Sequence, residues 1–128
     1  MNNIQMKESH RKFKEAFDEL YAFNIQDKIN FLEALLYFFT ISGRGIWSAE
    51  NFIDAEKVEA FKWMNELLHR IWNIQFGLKR GEDDDSITRL YNNMKFYSEQ
   101  SDLLKMHLVP SIVGAFEHFN NKNPPEND

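Results

Sequence analysis

The chain has 128 residues, of which 43% are hydrophobic and 27% charged, a composition that predicts one globular domain with its own core. It contains no cysteine, which excludes disulfide bonds, thiolate metal sites and a cysteine nucleophile. Its formal net charge of −5 disfavours nucleic acid as a partner and favours a basic protein, because complementary charge assists association.

Helical periodicity extends along most of the chain, whereas the alternating pattern of strands is weak. We therefore expect an all-α fold, a single-domain bundle of about five helices over residues 1–119. Residues 120–128 are polar and contain two prolines, so we expect them to form a disordered tail.

The first two predicted helices differ in how their apolar residues are distributed. The first, over about residues 7–23, has a single apolar stripe. The second, over about residues 25–42, is apolar almost all round, which is typical of a helix at the centre of a bundle. Gly43 and Gly45 follow it and should end it, because glycine commonly caps helix C-termini. A connection over residues 45–53 is then expected.

Asp54 is a favourable N-cap for the third predicted helix, over about residues 54–78. Its apolar stripe begins at Val58 and includes Trp72, and Gly81 follows the helix as a stop signal. The fourth helix is predicted over about residues 86–100.

The fifth helix is predicted to begin near Ser101 and Asp102. Pro110 should kink or restart it, because proline lacks the backbone N–H that an α-helix requires and its ring clashes with the preceding turn.

Glu66 and His69 form a Glu-x-x-His pair, which places both side chains on one helix face as in carboxylate-bridged metal bundles. A second such pair is missing from the sequence, although Glu33 could add one further carboxylate. Nucleophile, phosphate-loop and paired-histidine motifs are missing too, so we predict no catalytic residue, metal or cofactor, and no enzyme. A metal-binding helical bundle centred on these residues is the alternative.

Five polar residues are predicted to form a structural cluster between the second and third helices: Arg44, Asn65, Glu66, His69 and Arg70. A partly buried contact between Arg44 and Glu66 would lock the two helices together. Two separate solvated faces are equally compatible with the pattern.

A run of four acidic residues precedes the fourth helix, and Trp47 lies in the predicted connection, where an exposed aromatic suits an interface. These features predict the contacts for a basic partner: Glu82, Asp83, Asp84, Asp85, Trp47, Glu50 and Asp54. The alternative for the acidic run is a solvated loop that complements the next helix N-terminus.

The segments 40–44 (TISGR) and 65–70 (NELLHR) resemble a TIxGR…NELxHR pattern of small uncharacterised bacterial helical proteins. In size, acidity and lack of cysteine, the chain is also similar to immunity proteins of contact-dependent growth inhibition systems. This resemblance implies a bacterial immunity or antitoxin-type protein that neutralises a basic toxin, such as a nuclease, by occluding its active site.

Two further expectations concern assembly and location. Aromatic residues make up 15% of the chain, more than one core of this size readily buries, so a homo-oligomer with a structural or regulatory role is an alternative. The polar N-terminus lacks the apolar segment of a signal peptide, and the most apolar run, residues 31–41, is too short to span a membrane. We therefore expect a cytoplasmic location and no membrane partner.

Overall fold

The computed structural model describes residues 3–122, with side chains at 11, 13–41 and 43–121. This part of the chain forms five helices and no strand, which confirms the all-α bundle. The helices are α1 Asn3–Leu20, α2 Ile25–Ser48, α3 Asp54–Lys79, α4 Ser86–Ser98 and α5 Asp102–Lys122. The predicted tail is wrong for residues 120–122, which belong to α5, and residues 123–128 lie outside the described part.

Consecutive helices run in opposite directions and are joined by short loops. At one end of the bundle, Phe23 after α1 stacks on Phe119 near the end of α5, with ring centroids 5.0 Å apart. At the same end, Lys28 in the first turn of α2 bonds to Asp83 just before α4. We call this the Lys28 end. The opposite end, where α2 leads into α3, is the Trp47 end.

The central helix is α5, which contacts all four other helices and buries Leu104, Leu108 and Ile112 completely or almost so. The predicted central position of α2 is wrong, because α2 packs mainly on α3 and α5 and leaves its remaining face in solvent. Tyr37 on that face is 59% exposed. The apolar residues of α2 therefore serve two purposes: one side fills the core and the other forms part of the surface.

The predicted end of α2 at Gly43 and Gly45 is also wrong, since the helix continues to Ser48 and the connection shortens to residues 49–53. A methyl group on Gly45 would lie 3.0 Å from Cε1 of His107 in α5. Gly45 therefore lets α2 and α5 approach closely rather than ending the helix. The tertiary contact, which the local sequence does not encode, decides its role.

The ends of α3 agree only in part with the sequence. Ile53, not Asp54, is the N-cap residue, and its N–H donates to the Glu56 carboxylate at 3.0 Å. The glutamate thus satisfies a backbone donor that has no partner within the helix. At the other end, Gly81 adopts a left-handed φ of 84° and its N–H donates to the Leu78 carbonyl, which confirms the predicted stop.

Pro110 lies inside α5, and the predicted restart of the helix does not occur. The proline is exposed, so its ring lies on the solvent side of the helix. The carbonyl of Met106 receives no N–H from it, whereas Ser111 donates its hydroxyl to the His107 carbonyl at 2.7 Å.

Candidate partner-binding surfaces

The acidic run lies at the Lys28 end, and Asp83 within it is engaged inside the protein. Its carboxylate accepts hydrogen bonds from Lys28 Nζ at 2.7 Å and from the Ser86 hydroxyl. Partial burial alone would raise the pKa of Asp83, but these bonds and the charge of Lys28 outweigh it and lower the pKa. Asp83 therefore holds the α3–α4 loop against α2.

The other three acids of the run are exposed. Glu82 pairs with Arg80 at 3.1 Å, and this hydrogen bond lowers the pKa of the Glu82 carboxyl. Asp84 and Asp85 form no ion pair within the described residues. Two acids of the run are thus engaged with cations of the chain itself, which leaves Asp84 and Asp85 to face solvent.

The predicted contacts Trp47, Glu50 and Asp54 lie at the other end of the bundle. Trp47 follows Lys28 by 19 positions in α2, which corresponds to roughly 28 Å along a helix. The seven predicted partner contacts therefore form two separate surfaces, a separation that the sequence does not reveal.

Trp47 lies in the last turn of α2, not in a loop as predicted, and its side chain is 54% exposed. Its indole stacks on Phe61 of α3, with ring centroids 4.9 Å apart and an angle of 31° between the planes. Lys57 Nζ donates to the Trp47 carbonyl at 2.9 Å, so α3 also holds the end of α2 in place. The indole is therefore held in place by α3, and about half of its surface remains accessible to a partner.

Two apolar side chains near Trp47 are exposed although the sequence did not single them out as contacts. Ile53 and Val58 are 66% and 58% exposed. The prediction that Val58 and Trp72 belong to the buried stripe of α3 is wrong. The apolar stripe is larger than the part of α3 that other helices cover, so Val58 is exposed and Trp72 is half exposed. We define the turn patch as Trp47, Glu50, Ile53, Asp54 and Val58.

A groove of about 370 Å³ lies on the other side of the α3 N-terminus, and carboxylates contribute much of its lining. Glu56 and Glu59 of α3 border it together with Asp102 at the start of α5. Residues 50–59 contain four acidic residues and one lysine, a net charge of −3 over ten positions. The Trp47 end is therefore strongly acidic.

The predicted lock between α2 and α3 does not form. Within the described part of the chain, Arg44 and Glu66 make no ion pair with each other, and both are exposed. Arg70 interacts instead with the Tyr97 hydroxyl of α4, which is the main reason that its pKa is raised, with a smaller effect from Glu66. The five predicted polar residues are all exposed: Arg44, Asn65, Glu66, His69 and Arg70.

Glu33, Glu66 and His69 do not form a metal centre, since no group of three or more His, Cys, Asp or Glu side chains among the described residues is placed to hold a metal ion. The His69 ring lies edge-on to Trp72, with centroids 6.2 Å apart. Glu33 is exposed, not buried among apolar side chains, because α2 is not the central helix.

No helix within residues 3–122 is both long enough and apolar enough to cross a membrane. Comparison with known proteins yields no matching family model, no matching curated protein and no matching solved structure. The similarity to immunity proteins drawn from the sequence therefore stays a prediction.

Proposed function

We propose that the chain is a protein-binding module of the immunity or antitoxin type, which neutralises a basic partner by covering its active site. The observation that carries this proposal is the turn patch, where a supported tryptophan and two exposed aliphatic side chains lie between acidic residues.

The turn patch combines a restrained aromatic side chain with exposed aliphatic area, two features of tight protein interfaces. Tryptophan is enriched among interface hot spots, because its large ring loses much contact with water for little conformational entropy. Stacking on Phe61 restricts the Trp47 ring before a partner arrives, which lowers the entropy cost of binding. Ile53 and Val58 extend the apolar area around it.

The acidic residues of the Trp47 end determine which partner fits. Glu50 and Asp54 lie within the turn patch, and the groove beside it adds Glu56, Glu59 and Asp102. Such a surface attracts a basic protein and repels an acidic one. A nuclease active site is suitable, since it uses cationic groups to hold phosphate, and carboxylates of the inhibitor take the place of that phosphate.

The test uses the full chain as bait in extract from the organism that encodes it, followed by binding and activity assays with the purified partner. We expect a partner with a strongly basic surface whose activity is lost at one equivalent of the chain. Trp47→Ala should weaken binding by about 2 kcal/mol or more, roughly 30-fold. Phe96→Ala is the matched control, because Phe96 on α4 is 53% exposed but lies outside the turn patch.

The charge part of the proposal has its own readout. Glu50→Lys with Asp54→Lys should slow association and flatten the dependence of the association rate on salt, because rim charges act mainly during encounter. Recovery of only neutral or acidic partners, or equal binding by the Trp47→Ala and Phe96→Ala variants, would contradict the proposed function.

A further inference from the structure

The exposed face of α2 carries four residues in helical register that the proposed function does not use. Glu33, Tyr37, Ile41 and Arg44 follow one another at intervals of four, four and three positions, which places them along one side of the helix. Tyr37 is 59% and Ile41 45% exposed. We call this set the α2 stripe: an apolar centre with one acidic and one basic end.

The charges at the two ends of the α2 stripe form no ion pair within the part of the chain that the structure describes. Glu33 and Arg44 are separated by roughly 16 Å along the helix axis, too far for contact with each other. Neither forms an ion pair with another of the described residues. Residues 33–48 include no other charged residue, so the stripe is neutral in a chain whose net charge is −5.

From this arrangement we infer that the α2 stripe binds a second copy of the same chain, with the two α2 helices antiparallel about a twofold axis. The midpoint between Glu33 and Arg44 falls within one residue of the midpoint between Tyr37 and Ile41. Reversing one helix about that point brings each Glu33 to the other copy's Arg44 while the apolar residues meet at the centre. An isologous interface of this kind requires self-complementarity, and the stripe has it.

Thr40 also lies at the centre of the α2 stripe, and its polar side chain does not prevent close contact between the two copies there. Its hydroxyl donates to the Leu36 carbonyl at 3.0 Å, so the side chain needs no further partner and presents its methyl group. Thr40 would therefore add no unsatisfied donor to the interface, which is a condition for stable burial.

The first experiment measures the mass of the full chain in solution by sedimentation equilibrium and light scattering. We expect a dimer at about 100 µM, because specific protein interfaces commonly have dissociation constants in the micromolar range or below. Ile41→Asp should place a charge at the centre and give a monomer, whereas Lys95→Glu, an exposed change on α4 away from α2, should leave the dimer intact.

The charge pairing is tested by exchange of the two end residues. Glu33→Arg alone and Arg44→Glu alone should each weaken dimerisation at least tenfold, because like charges then face each other. The two single variants mixed together should form a heterodimer, and the double variant should dimerise to within about threefold of the original chain. Circular dichroism on each variant establishes that it is folded.

A monomeric original chain at about 100 µM, or single variants that dimerise as well as the original, would overturn the inference. The outcome is separable from the proposed function, which depends on the turn patch. Trp47→Ala tests partner binding and leaves the α2 stripe unchanged. The Glu33/Arg44 exchange tests dimerisation and leaves the turn patch unchanged.

Discussion

The Nζ atom of Lys28 lies 2.7 Å from a carboxylate oxygen of Asp83, a residue 55 positions further along the chain. The Lys28 side chain is only 10% exposed, and that of Asp83 27%. A lysine so far removed from water is tolerated because the carboxylate compensates for the lost hydration. This single pair joins the first turn of α2 to the loop that precedes α4.

We expect Asp83→Asn to lower the free energy of unfolding by about 1–3 kcal/mol at neutral pH, because the largely buried Lys28 loses its counter-charge. Urea denaturation measures the change. Asp84→Asn is the control, since Asp84 is exposed and should alter stability by less than about 0.5 kcal/mol. Equal effects of the two substitutions would show that the Lys28 contact contributes nothing.

The same pair should make stability depend on pH in the acid range. The pKa of Asp83 is lower in the folded protein than its ordinary value, so its contribution is complete above the unfolded pKa and is lost as pH falls through the folded one. The destabilisation caused by Asp83→Asn should therefore shrink below about pH 4. A difference that stays constant from pH 7 to pH 3 would contradict this assignment.

His107 should give a second, milder pH dependence. Burial against α2 lowers the pKa of its imidazole, so the folded chain binds less proton than the unfolded chain as pH falls from 7 to 5. Since the folded pKa is depressed, the stabilisation is complete above the unfolded pKa and declines below about pH 6.5. Denaturation at several pH values should show that His107→Gln reduces this slope, and a slope that the substitution leaves unchanged would contradict the assignment.

Gly114 in α5 and Gly43 in α2 should respond in opposite ways to alanine. A methyl on Gly114 would lie 3.0 and 3.2 Å from Cε1 and Cδ1 of Phe38, whose ring also contacts His118. We expect Gly114→Ala to reduce stability by about 1 kcal/mol, because overpacking exceeds the gain in helix propensity. At Gly43 the nearest atom, on Phe61, is 3.4 Å away, so Gly43→Ala should stabilise by about 0.5–1 kcal/mol. Thermal and urea unfolding compare the two, and equal signs would refute the close α2–α5 packing.

Pro110→Ala should increase the free energy of unfolding by about 1–2 kcal/mol. Alanine restores the hydrogen bond to the Met106 carbonyl and favours the helix, and these gains exceed the added entropy of the unfolded chain. The exposed position offers no packing that alanine would lose. Urea denaturation of the variant tests this, and reduced stability would mean that the proline shape is needed in α5.

The sequence predicted which segments form helices better than it predicted how those helices pack. The stop of α3 at Gly81 and the all-α class depend on residues close together in the chain, and both are confirmed. The exposure of Trp47 was also expected, although its place in α2 was not. Periodicity and capping act over one or two turns, so a single chain segment carries the information.

Only the tertiary structure decided which glycine ends a helix and which face of α2 meets solvent. Gly43 and Gly81 look alike as stop signals, but Gly43 continues as helix in contact with α3, and Gly81 takes a left-handed φ. Likewise, the apolar residues of α2 predict burial on every side, yet α5 occupies the centre and leaves Tyr37 and Ile41 outside. The reason is physical: hydrophobic pattern states what each helix can bury, whereas the neighbours available around it determine what is buried.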